Sequence, residues 1–297
     1  MNDQRNDRLP GGLRRLYSRR TALARVAAAG AVAAFAAPLS HRVSASATQL
    51  GALMTDATPA ATPAAAAPTA VLVHGAFADA SSWTGVIKLL QAASIPTIAI
   101  ANPLRGIALD GEYAAGVISA IPGPVLLVGH SYGGAVITAA GTKTPNALGL
   151  VYVAAFAPDE GETLLDVLGK FPPTLLGPGL RPTTASTTDV ELIIDPAQVH
   201  DIFAGDLSAE QIAIIAVTQR PVAASSLSEK APAPAWKHLP SWFAVAKGDH
   251  AIGADAERFY AKRAGSITVE IDASHVVMIS QPQAIFDLIS TALGSLA

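Results

Sequence analysis

The residues best placed to do chemistry are Gly129-His130-Ser131-Tyr132-Gly133, a match to G-x-S-x-G. They follow an apolar run, Val125 to Val128, that reads as a buried strand. They precede a small-residue run, Gly133 to Ala140, with the pattern of a helix. In that setting the motif is a nucleophile elbow, a strained strand-to-helix turn that lifts a serine hydroxyl above the sheet edge. The two outer glycines answer a steric need, because a Cβ at either would collide with the neighbouring strand or helix. A serine hydroxyl at neutral pH is a weak nucleophile and needs a base. The base in turn needs a carboxylate to hold it in the right tautomer.

Seven histidines could supply the base. His41 falls in the N-terminal segment, and His74 and His130 sit in turns at strand ends, where a structural role suffices. His200 and His238 lie in or beside a long insertion. His250 and His275 remain, and His275 directly follows the apolar strand Ile267–Ile271 at its C-terminal edge. In the chain order Ser…Asp…His the acid lies between Ser131 and His275. Asp249 follows the strand Trp242–Ala246 through Lys247-Gly248 and reaches the same sheet edge. Asp255 sits at a helix start, where a first-turn acid has an ordinary role. Asp272 is too near His275, and Asp195 and Asp206 belong to the insertion. Asp249 is therefore the candidate acid, with the neighbouring His250 able to compete for it. The developing oxyanion needs two backbone N–H donors. One is Tyr132, after the nucleophile, and the other comes from the turn His74-Gly75-Ala76-Phe77.

These residues must be carried by a sheet. Strands are expected at 70–75, 97–100, 125–128, 148–154, 242–246 and 267–271, with helices at 82–93, 110–120, 133–140, 254–264 and 282–296. The alternation predicts an α/β fold with a mostly parallel sheet covered by helices on both faces. Residues 158–235 are too long for an ordinary connection and are expected to form a cap over the site. Within the cap, helical patterns fall at 189–194 and 209–218.

The composition narrows the classes. A chain of 297 residues, 51% hydrophobic, suits one α/β domain with additions. A net charge of -3 with 14% charged residues argues against a nucleic-acid partner. The absence of cysteine excludes disulfides, thiol nucleophiles and thiolate metal sites. Ser18-Arg19-Arg20-Thr21-Ala22-Leu23-Ala24-Arg25, a mild apolar stretch and Val43-Ser44-Ala45-Ser46-Ala47 have the layout of a twin-arginine export signal over residues 1–47. The uncharged run is shorter than the ~20 residues of a membrane span. Cleavage after Ala47 and a periplasmic or secreted protein are the expectation. Residues 48–69, rich in Ala, Pro and Thr, read as a linker.

From about Ala70 onward the chain resembles the α/β-hydrolase superfamily, and within it the compact branch of plant methylesterases, plant hydroxynitrile lyases and small bacterial esterases. The blocks that carry the resemblance are Val71-Leu72-Val73-His74-Gly75-Ala76-Phe77 with Trp83, the elbow, Ala154-Ala155-Phe156-Ala157-Pro158, and Ser274-His275-Val276-Val277-Met278-Ile279-Ser280-Gln281-Pro282. The resemblance implies an α/β-hydrolase domain over 70–297 and His275 as the catalytic histidine. It points to Ala76 as the second oxyanion donor, with Phe77 the alternative and its side chain lining an acyl pocket. It implies a serine esterase for small, fairly apolar carboxylic esters, with no metal and no organic cofactor. The sequence gives no signal of oligomeric state. Lyases of this branch carry a lysine after the catalytic histidine, where this chain has Val276, which counts against lyase activity. A dehalogenase would need an aspartate in place of Ser131. A perhydrolase activity on the same triad, or a binding protein that has lost catalysis, are the other readings.

Overall fold

The computed structural model describes residues 67–183 and 189–296. The predicted export segment, and the predicted linker up to residue 66, lie outside the described residues. Six strands form the main sheet: β1 (Thr69–Val73), β2 (Thr97–Ile100), β3 (Val125–His130), β4 (Ala147–Val153), β8 (Ser241–Ala246) and β9 (Ile267–Ile271). Their order is β2-β1-β3-β4-β8-β9 and every pairing is parallel. The inner strands β1, β3 and β8 are buried along their whole length. Their near-continuous Val, Leu and Ala runs are what a sheet covered on both faces requires.

The helices between strands are α1 (Thr84–Ala92), α2 (Ile107–Ser119) and α3 (Tyr132–Ala140). From β1 the chain moves outward to β2, then returns past β1 to β3. Right-handed crossovers therefore put α1 on one face and α2 with α3 on the other. α2 packs on α3, and α1 packs on the C-terminal helix Pro282–Leu296. The reversal of strand order falls between β1 and β3, so a crevice opens at their carboxyl ends. That crevice is flanked by His74-Gly75-Ala76 and by His130-Ser131.

Between β4 and β8 lies the insertion. It contains a three-stranded antiparallel sheet of β5 (Leu180–Thr183), β6 (Glu191–Ile194) and β7 (Val222–Ala223). It also holds the helix Ala209–Thr218, closed at its start by a capping box between Ser208 and Gln211. The helical pattern expected at 189–194 is instead strand β6. Its β-branched Ile193 and Ile194 find ladder partners in Arg181 and Leu180, and six residues are too few for periodicity to separate strand from helix. The expected helix at 209–218 is present as read.

Candidate active site

The elbow is built by close approach of backbones. Ser131 has φ 52° and ψ -124°, a strained conformation for a residue with a side chain. An added Cβ at Gly129 would lie 2.5 Å from the carbonyl oxygen of Gly133, and one at Gly133 would lie 2.4 Å from that of Val73. The turn is pinned by Ser131 N–H to Val153 O at 3.2 Å and by Phe156 N–H to Ser131 O at 3.1 Å. Tyr132, the first residue of α3, has an N–H without an intrahelical partner, at the positive end of the helix. Its buried ring is anchored by the hydroxyl, which donates to Asp110 Oδ2 at 2.8 Å. Asp110 also accepts from the N–H groups of Arg105 and Gly106. Burial pushes its carboxyl up despite these bonds.

His275 and Asp249 meet at the same sheet edge. His275 Nδ1 lies 2.6 Å from Asp249 Oδ2, and both side chains are sealed from solvent. Asp249 Oδ1 accepts from the N–H groups of Ala251 at 2.6 Å and Ile252 at 3.0 Å. Burial raises the Asp249 carboxyl, but the charge His275 can carry and the hydrogen bonds outweigh it and hold the group well below the carboxylate range. Since a carboxylate can only accept, a proton sits on His275 Nδ1, and in the neutral ring Nε2 is the nitrogen that presents a lone pair. His250 does not compete for Asp249: its Nδ1 lies 2.8 Å from Asp201 O. Asp255 and Asp272 are turned to Arg258 and Lys247.

The two turn histidines hold the frame. His74 Nδ1 donates to Gly75 O at 2.9 Å and its Nε2 accepts from Asn102 N–H at 3.0 Å. His130 Nε2 donates to His275 O at 3.0 Å, so the residue before Ser131 steadies the backbone of His275. Burial, then the His275 charge, hold His130 well below the usual imidazole range, which keeps it neutral.

Ala76 and Phe77 are both buried in the turn after β1. The Phe77 N–H is already spent on Arg220 O of the cap, at 3.1 Å. The Phe77 ring lies edge-on to Phe203, with centroids 6.2 Å apart, and Phe203 packs against the His275 ring at 5.0 Å. A cavity of about 130 Å³ opens beside them, with Ile214, Ile215, Val276 and Ile279 among its walls. A second cavity of about 690 Å³ lies between the cap and the loops after β8 and β9, lined by Ile202, Lys247, His250 and Asp272 among others, and neither cavity has Ser131, Asp249 or His275 on its wall.

Phe203 and Asp206 are contributions of the cap that sequence reasoning missed. Asp206 accepts from Ser274 Oγ at 2.5 Å and from Ser274 N–H at 3.1 Å, which ties the cap to the residue before His275. Nothing in the spacing of the insertion marks either residue. No group of three or more His, Asp or Glu side chains among the described residues is arranged to hold a metal ion.

Comparison with known proteins places this arrangement. Residues 70–288 match the alpha/beta hydrolase family. The chain is 25% identical to methylesterase 8 of Arabidopsis thaliana over 252 residues, covering 73% of this chain and 86% of that protein. Among solved structures, polyneuridine aldehyde esterase superposes with a TM-score of 0.66 at 21% identity, over 76% of this chain and 99% of the other. A pyrethroid hydrolase from Sphingobium faniae gives a TM-score of 0.65 at 19% identity, over 76% and 97%. At these identities the structural likeness speaks to the fold, and with the family match over most of its length the chain belongs to the alpha/beta hydrolase family.

Proposed function

We propose that the chain is a serine esterase acting on small, fairly apolar carboxylic esters. The observation that carries this reading is a strained Ser131 after β3 together with a buried His275–Asp249 couple after β9 and β8, at the carboxyl edge of the same parallel sheet. In this account Ser131 Oγ attacks the ester carbonyl carbon while His275 Nε2 takes its proton. Asp249 orients the imidazole and balances its charge. The C–O bond to the alcohol breaks, His275 returns the proton to the leaving oxygen, and water repeats the sequence to free the acid and regenerate Ser131.

The N–H groups of Tyr132 and Ala76 are assigned to the oxyanion. The bond from Phe77 N–H to Arg220 O favours Ala76 over Phe77 for the second donor. Phe77 then serves through its ring, as one wall of the small apolar cavity. Similarity to proteins named as esterases and to a pyrethroid hydrolase supports an ester as substrate. Val276 gives no cation to stabilise departing cyanide, so hydroxynitrile lyase activity is not expected.

A series of p-nitrophenyl acylates of increasing chain length tests the reading. A burst of p-nitrophenol and fastest turnover on short chains are expected, because each added methylene gains only ~1–3 kcal/mol while a cavity of this size soon fills. Faster turnover of long-chain esters would contradict the assigned pocket. The N-terminal layout further supports export with a mature N-terminus near Thr48. Mass spectrometry of the periplasmic or extracellular protein checks that, and a full-length protein retained in the cytoplasm of the native host would contradict it.

A further inference from the structure

The catalytic reading uses Asp249 but leaves a second buried carboxyl beside it unexplained. Glu257 lies on the helix Ala254–Arg263, wholly sealed from solvent. Its Oε2 accepts from the N–H of Ala246, the last residue of β8, at 2.9 Å. No donor among the described residues reaches its Oε1, which is also buried. What Glu257 does meet is the side chain of Asp249, near enough for the two carboxyls to share a hydrogen bond once one of them carries a proton.

Two carboxylates in contact inside a dry site cannot both ionise, and a hydrogen bond between two carboxyls requires a proton on one. Asp249 is the poor holder of that proton: one oxygen faces His275 Nδ1 and the other accepts two backbone N–H groups. Glu257 has a single N–H acceptor bond, on Oε2, and an Oε1 that contributes only if it donates. The charged groups acting on Glu257 are Asp249 and, from its own helix, Arg258, which is turned outward to Asp255 and Glu270. Burial, then the Asp249 charge, push the Glu257 carboxyl well above the carboxylate range.

We propose that Glu257 is a positioning residue: it carries a proton on Oε1 and donates it to the Asp249 carboxylate, fixing the acid that orients His275. This rests on the triad reading above. Neutral Glu257 also leaves a single negative charge behind His275. A second one would hold the imidazole proton too tightly for transfer to the leaving alcohol.

The test compares Glu257→Leu with Glu257→Gln on a p-nitrophenyl ester. Gln can accept from Ala246 and donate to Asp249, whereas Leu can do neither. Losing a donor to a buried charge is expected to cut kcat about tenfold or more in Glu257→Leu with KM little changed. Glu257→Gln should restore kcat to within about threefold of wild type, and the acidic limb of its pH–rate profile should stay in place. If Glu257 were ionised, Gln would remove a negative charge near His275 and the limb would move to lower pH by about one unit. That shift, or a Gln variant as slow as the Leu variant, would overturn the proposal. Infrared difference spectra of wild type against Glu257→Gln at neutral pH give a readout independent of catalysis and should show a protonated carboxylic acid C=O band. Absence of the band overturns the proposal whatever the rates. The band together with undiminished ester hydrolysis in Ser131→Ala would instead overturn the triad reading while leaving Glu257 protonated.

Discussion

The elbow helix α3 and the cap helix Ala209–Thr218 are both built almost wholly of small and apolar residues, yet their surroundings are opposite. All nine residues of α3 are buried, while none of the ten in the cap helix is. α3 has glycine and alanine where strands and α2 approach, so backbones touch and the helix is locked in the core. The cap helix carries Ile and Val on a surface with few partners, and Val217 is 81% exposed. Elsewhere the cap is anchored by buried apolar side chains such as Val167, Val199, Ile202, Phe203 and Val222, and polar ties add to that packing. The ties include Arg105 with Glu191, the Glu229 carboxylate accepting from Ile107 N–H, Ala223 N–H to Leu104 O at 3.0 Å, and Asp206 with Ser274. Ser131 is thus positioned by close backbone packing, whereas the cap combines buried side chains with bonds that can be broken singly.

Substitutions on the two sides should separate accordingly. Asp249→Asn is expected to lower turnover about 10⁴-fold, because an amide permits the wrong histidine tautomer, with circular dichroism unchanged. Asp255→Asn, at an exposed pair with Arg258, should leave the rate near wild type. The reverse pattern would move the acid to Asp255. Gly133→Ala drives a Cβ into the Val73 carbonyl and should cost about 3 kcal/mol in urea unfolding, taking activity with it. Wild-type stability in that variant would show that the elbow is less rigid than described.

The cap side should respond more mildly. Asp206→Ala removes both bonds to Ser274 and frees the loop that bears His275. About a tenfold fall in kcat/KM is expected, from the loss of hydrogen bonds to a charged group, with Tm lowered by several degrees. An unaltered rate would show that the cap does not steady His275. Val217→Ser should change stability by less than about 0.5 kcal/mol, since its side chain is already in water. A larger loss would mean that the cap helix is covered by something in solution.

The same contrast governs what could be read in advance. The elbow is legible because its glycines, serine and strand-to-helix switch are contiguous and each is demanded by local geometry. Asp249 and His275 follow from strand ends and chain order. The contributions of Phe203 and Asp206 depend on how an irregular insertion folds back, which no periodicity encodes. β6 is open to a helical reading because the segment is too short for periodicity to separate strand from helix. Glu257 is a different case. As a first-turn acid it has an ordinary helix-dipole role, but it shares a face with Tyr260 and Ala261 at i+3 and i+4, and all three are buried. A carboxyl on the apolar stripe of the helix that follows Asp249 is a signal present in the sequence.

The central claim is that Ser131 becomes acylated. Enzyme mixed with a short p-nitrophenyl ester and quenched within the burst should gain the mass of one acyl group, on the peptide containing Ser131. Ser131→Ala should show no mass gain and a turnover lower by about 10⁶-fold. Acylation at another residue, or a burst that persists in Ser131→Ala, would contradict the account.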